Sequence, residues 1–213
     1  MKNITKHTGK VENLERLPSS SNGNPRYKFN IEQCKAIAQA QAAGNDCFVF
    51  AGKVWDTSED DAREAAREWA LDKTYINTLT DEQLTEWLEE TQCEIEYDDS
   101  YNADYMVLTE READEKAEEY IKDSLWAFNS SFLSNITGFD QDIFNAIQAN
   151  DKCEGNNNAI LQLVGDNFGD LVSQAISCDG RGHFLNTYDG SETEFNCFDY
   201  TGTNECLFVY RMN

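Results

Sequence analysis

An α+β fold, with mixed helices, short antiparallel strands and two packed subdomains, is what the sequence predicts, on three observations. Apolar residues at helical spacing follow capping boxes at Thr80–Gln83 and Thr109–Glu112. Short β-rich or alternating runs occur at 47–51, 93–97 and 105–108. Helices and strands are interleaved without a βαβ repeat, which disfavours a doubly wound parallel sheet. Four Trp, nine Tyr and twelve Phe in 213 residues provide the aromatic bulk for a core that disordered acidic chains lack.

Taken in order, residues 9–31 read as two strands around a loop. Pro18 and Pro25 bracket that loop, and Asn22-Gly23 tolerates positive φ. The Ala-rich run from Ile31 to Ala43 reads as a helix stopped by Gly44, and CFVFA at 47–51 as a buried strand. Thr57 or Ser58 can cap a helix running to about Leu71 in which Ala62, Ala65, Ala66 and Trp69 share a face. After Thr80, Leu84, Trp87 and Leu88 form an apolar stripe, and Glu82, Glu86 and Glu90 occupy the opposite face. Cys93, Ile95 and Tyr97 alternate with Glu94 and Glu96 as in a half-buried strand. Residues 97–104 then read as a linker and 105–108 as a short strand.

Thr109 opens the most strongly patterned helix, with Ala113, Ala117, Tyr120, Ile121, Leu125 and Phe128 on its stripe. On its outer side Glu112 can pair with Lys116 and Glu118 with Lys122, leaving Glu115 and Glu119 over. Two further helices are expected near 140–148 and 158–176. The tail, with turn signals at Asp179-Gly180, Asp189-Gly190 and Thr201-Gly202, reads as a small antiparallel sheet in which His183 starts a strand. The expected organisation is an N-terminal α+β part over 1–97, with a β-hairpin and acidic helices. A C-terminal helical part over 104–213 ends in that sheet.

The charge is regional. Between Asp56 and Glu119 there are 23 Asp and Glu against 5 Lys and Arg, so 18 of the 23 net negative charges lie there. Residues 1–55 are net positive by 4, and 120–213 net negative by 9. Such a surface repels nucleic acid and anionic membrane and steers towards a basic partner. No apolar run reaches the roughly 18 residues of a membrane span, and Met1–Lys10 lacks the apolar core of a signal peptide, so the expected location is the cytoplasm.

Chemistry-bearing motifs are sparse. Seven scattered cysteines without a CxxC pair read as buried thiols in a reduced compartment. Zinc held by Cys178, His183, Cys197 and Cys206 is the alternative, although their spacings match no ribbon or finger. DGRGH at 179–183 is the one place where a nucleophile, a histidine and acids gather, but nothing more specific makes it a triad. Asp98, Ser100, Asn102 and Asp104 share the spacing of a calcium loop. Ala103 and Thr109 stand where that loop needs glycine and glutamate, and an acidic solvated linker fits better. Phosphate-binding glycine motifs are absent. No catalytic residue, metal site or cofactor is expected, and the chain reads as no enzyme.

ERLPSSSNGNPRYKF at 15–29, and VLTEREADEKAEEYI at 107–121 with DGRGHFLNTYDGSETEF at 179–195 and the terminal VYRMN, resemble small acidic accessory proteins of tailed bacteriophages. In that family the second pair tends to form a separate short protein, which implies a boundary near 98–103. The resemblance carries no activity to any residue. Phage accessory proteins of this size and acidity are often inhibitors of host defence nucleases, and it implies a phage-encoded protein of the host cytoplasm. The expected function is a non-enzymatic nucleic-acid mimic occupying the basic groove of a host nucleic-acid-binding protein, such as a restriction or CRISPR nuclease. The contact would be made by Glu82, Glu86, Glu90, Asp98, Asp99, Glu115 and Glu119, carboxylates about 6 Å apart along a helix being close to the phosphate spacing of a strand. The alternatives are an accessory or structural interaction protein whose acidity serves solubility, and a metal-binding protein.

Overall fold

A computed structural model describes residues 16–17, 26–27, 29–50, 53–73, 79–92, 94–98, 104–149, 153–197 and 205–213. The loop expected at 19–25, Cys93, Asp99 and the turn expected at 201–202 lie outside them. The fold is α+β, helices with a small three-stranded antiparallel sheet. The chain forms two compact units, one of Met1–Leu108 with Thr193–Met212, the other of Thr109–Glu192 with the terminal Asn213. The division therefore falls at 108/109 rather than at 98–103, and the C-terminal strands belong to the first unit. The reason is pairing: β7 (Cys206–Arg211) is the middle strand of a sheet ordered β5-β7-β6, between β5 (Tyr105–Thr109) and β6 (Thr193–Asn196).

The first unit opens with two short paired strands, β1 (Arg16–Leu17) and β2 (Arg26–Tyr27). Next, α1 (Ile31–Ala42) starts at a capping box, with Asn30 Oδ1 accepting from Gln33 N–H at 2.8 Å and Gln33 Oε1 from Asn30 N–H at 3.0 Å. It ends at Gly44, whose φ of +77° an L side chain rarely adopts. Its small buried residues Ala36, Ala38 and Ala40 bring the helix close to β7 and β4 (Lys53–Trp55). β3 (Phe48–Phe50) pairs antiparallel with β4, Phe48 facing Trp55 and Phe50 facing Lys53.

That hairpin organises two cores. Strand alternation sends Phe48, Phe50 and Trp55 towards α2 (Glu59–Lys73) and α3 (Asp81–Thr91), where they meet Ala62, Ala66, Leu84, Trp87 and Leu88. Val54 faces the other way, into a core with Ile37, Cys47, Val107, Cys197, Leu207 and Val209. Burying Phe48, Phe50 and Trp55, each at or below 2% exposure, contributes about 2 kcal/mol or more apiece in transfer free energy. Ser58 caps α2 through Asp61 N–H at 3.2 Å. β4 was not foreseen from the sequence, because three residues after Ala51-Gly52 carry no periodicity of their own.

The second unit is helical. α4 (Glu110–Asp123) buries Ala113, Ala117 and Ile121, and a 3-10 turn at Leu125–Ala127 adds Leu125. α5 (Ser130–Thr137), unforeseen, and α6 (Gln141–Gln148) follow. The helix expected over 158–176 is two, α7 (Asn157–Val164) and α8 (Phe168–Asp179), because Gly165 (φ +52°) breaks it. Leu133, Phe144, Ile160, Val164, Leu171 and Ala175 complete the buried interior. Asn157 joins the start of α7 to the end of α4, donating to Lys122 O at 2.5 Å and accepting from Trp126 N–H at 3.2 Å.

Arg181–Leu185 is a short helix, α9, and not the strand expected to begin at His183. Gly180 (φ +77°) ends α8 and lets the chain turn straight into it. Arg181, only 12% exposed, grips Glu192 with Nε and Nη2 at 3.0 Å each and Asp114 of α4 with Nη1 at 3.0 Å. Arg181, the central charge of DGRGH, is therefore accounted for by packing.

Candidate protein-binding surface

In α3 the inward stripe decides what faces out. Thr80 and Gln83 close the capping box at 2.9 and 3.3 Å, and Leu84, Trp87 and Leu88 are buried. A 3.6-residue repeat then leaves Glu82, Glu86 and Glu90 exposed along the other side, with Glu89 beside them. Glu82, in the first turn, is favoured by the helix dipole. Glu89 and Glu90 lie towards the negative end, and the last turn of the helix itself holds no basic residue. Each such placement costs roughly 0.3–1 kcal/mol when little screened. Stability alone does not select for it.

A second acidic feature of the same unit was not foreseen as a group. Asp56, Glu94, Glu96, Asp98 and Asp104 line one cavity of about 510 Å³, with Gln39, Asn45 and Tyr105. No Lys or Arg is among the described residues lining it. Gln39 of α1 builds its wall. Its Nε2 donates to Asp98 O at 2.8 Å and Tyr105 O at 2.7 Å, and its Oε1 accepts from Asp98 N–H at 3.3 Å. Ile95 N–H donates to Val54 O at 2.7 Å, and Ile95 and Tyr97 pack on the core, which turns Glu94 and Glu96 outward. Tyr97 is locked by its hydroxyl, donating to Val107 O at 2.8 Å. Over 94–97 the alternation thus correctly oriented its side chains, although one bridge, Trp55 to Glu94, stands among the described residues in place of a full strand.

Electrostatics around this cavity follow from its carboxylates. Lys53 donates to Glu94 at 2.9 Å, and that bond, with the charges of Glu94, Glu89 and Glu96, holds the Lys53 ammonium above its ordinary pKa. Burial, helped by Asp56 and Asp46, pushes the Cys47 thiol up to about 11. Cys47 is therefore a protonated core thiol at neutral pH and a poor nucleophile.

The expected contact residues divide between the units. Glu82, Glu86, Glu90 and Asp98 are exposed on the first, Glu115 and Glu119 on α4 of the second, and Asp99 lies outside the described residues. Two expectations on α4 are corrected. Glu112 does not reach for Lys116: its carboxylate turns back to Thr109, accepting from N–H at 2.8 Å and Oγ1 at 2.9 Å. Glu115 is not left over, since Arg111 Nη1 lies 2.7 Å from it. The N-cap position rewards a carboxylate with two donors, which outweighs one solvent-exposed ion pair.

The thiols and histidine divide likewise. Cys178 and His183 are exposed in the second unit. Cys197, fully buried after β6, takes a hydrogen bond from the Cys34 thiol that lowers its pKa, and Cys206 pairs with Asn196 in the β6–β7 ladder. Among the described residues, no three His, Cys, Asp or Glu side chains are disposed to hold a metal ion, and no helix is long and apolar enough to cross a membrane. Comparison with protein-family models, curated proteins and solved structures gives no match for this chain.

Proposed function

We propose that this chain is a non-enzymatic phage protein that inhibits a basic nucleic-acid-binding host protein, such as a restriction or CRISPR nuclease. It does so by placing carboxylates where phosphates would sit. The observation that carries this reading is the acidic cavity of the first unit, five carboxylates around one concavity, of which Glu94 also holds Lys53. Like charges gathered this way repel one another, and a basic partner relieves that repulsion on docking. The exposed row Glu82, Glu86, Glu90 extends the acidic surface of the same unit. The bacteriophage resemblance supports the choice of a host target.

The test is affinity capture from a bacterial lysate, followed by titration of the captured protein against wild type and the triple variant Glu82→Gln, Glu86→Gln, Glu90→Gln. Three exposed charge contacts at roughly 0.2–1 kcal/mol each predict a few-fold to about hundredfold loss of affinity and a flatter salt dependence. Duplex DNA should compete for the captured protein. Equal binding at about 50 and about 500 mM salt, between which screening changes strongly, would sink the proposal.

A further inference from the structure

The second unit carries a groove that the acidic surface does not explain. Tyr120, Phe128, Phe132, His183 and Phe184 bring five rings to one cavity of about 410 Å³, with Asp179 the only carboxylate among the described residues lining it. Phe184 and Ala175 are buried at its floor, while Tyr120, 51% exposed, stands at the rim with exposed Cys178, Asp179 and His183. The rings form one connected set. Tyr120 and Phe184 have centroids 6.1 Å apart, Phe128 and Phe184 stack at 6.4 Å and 11°, and Phe128 and Phe132 lie 5.7 Å apart.

Three properties narrow the occupant. Ring faces carry partial negative charge and attract cations. Asp179 adds a full negative charge at the edge. The unit from Thr109 to Glu192 holds 16 acidic and 5 basic side chains, a net charge of 5 − 16 = −11 that favours a cation entering from solvent and disfavours an anion. A planar cation suits this set better than a compact one, because a guanidinium stacks on rings and meets a carboxylate with two donors, whereas a strongly hydrated ammonium does neither as well. The geometry points to this groove as a docking site for an arginine side chain of a partner protein. It lies on a different unit from Glu82, Glu86 and Glu90 and stands independently of the function proposed for them.

The experiment titrates the isotopically labelled full chain with Nα-acetyl-arginine amide, following amide NMR shifts, with the citrulline and tyrosine amides as comparison probes. Citrulline keeps the shape of arginine and removes its charge. Arginine should shift residues 120–132 and 175–184, and citrulline should bind about two- to thirtyfold more weakly, the span of cation–π contacts from exposed to desolvated. Tyr120→Leu and Asp179→Asn, both at exposed positions, should each weaken arginine binding about two- to tenfold with the helical circular dichroism unchanged. Equal binding of citrulline and arginine would overturn the assignment, as would tighter binding of tyrosine amide or shifts confined to other residues. Loss of the Glu82, Glu86, Glu90 effect on partner affinity would leave these results untouched, so the two readings fail separately.

Discussion

Gly182→Ala is expected to damage the second unit far more than a helical Gly→Ala exchange should. Gly182 is buried in α9, and a Cβ built there lies 2.4 Å from Gly190 O, 2.7 Å from Ser191 C and 3.0 Å from Glu192 N, all backbone. Opening the first contact to the roughly 3.4 Å of ordinary packing moves residues 190–192 by about 1 Å. That segment is held by Asn186 Nδ2 donating to Ser191 O at 2.7 Å and by the Arg181 fork on Glu192 at 3.0 Å. A 1 Å retreat stretches both beyond hydrogen-bonding distance. Losing the neutral bond and the two charge-assisted bonds of the fork costs about 4–7 kcal/mol, and the better helix propensity of Ala returns about 1, for a net loss of about 3–6 kcal/mol. The control is Gly169→Ala in α8, where nothing lies within 4 Å of the added Cβ and the φ is ordinary. There the same exchange should stabilise by roughly 0.5–1 kcal/mol. Hydrogen exchange in increasing urea, read on peptides of α4 and α8, isolates this unit from the other. A Gly182→Ala protein within about 0.5 kcal/mol of wild type, a spread typical of neutral surface exchanges, would refute the close-approach argument.

Alkaline pH should destabilise the first unit through Cys47. Its folded pKa is raised from 9.0 to about 11, so the stabilisation is intact below pH 9 and is lost as pH rises to 11. It amounts to about 3 kcal/mol from two units at 1.36 each. Lys53, also raised, acts in the same direction, and Cys197, lowered by Cys34, in the opposite one. Thermal melts of wild type and Cys47→Ala at pH 8 and pH 10.5 should therefore converge at the higher pH, and a constant gap would exclude Cys47 as the cause. Arg181→Leu should cost the second unit about 2 kcal/mol by leaving Glu192 and Asp114 without the fork. Arg181→Lys should recover only part of that in urea titrations, since an ammonium cannot span both carboxylates, and full recovery would reduce the network to simple charge.

Where a few consecutive residues contain the whole determinant, the sequence sufficed. Thr80 and Thr109 start helices because the cap and its partner three residues on satisfy the same helix end. The stripe Leu84, Trp87, Leu88 then oriented the Glu82, Glu86, Glu90 row without knowledge of what the stripe packs on. The two-residue period at 94–97 likewise oriented Glu94 and Glu96. Tertiary structure decided whatever depends on partners distant in the chain. β7 joins the first unit because β5, about a hundred residues earlier, offers it an unpaired edge, which no local pattern reveals. The acidic cavity needs Asp56, Glu94 and Asp104 brought together by the hairpin and by Gln39. Arg181–Leu185 is helical where turn signals suggested a strand, because Gly182 alone fits beneath residues 190–192 and Arg181 is drawn to Asp114 and Glu192. Helix caps and apolar periods are short-range and leave their mark in neighbouring residues. Strand pairing, close backbone approach and the gathering of like charges are long-range, and only the folded chain displays them.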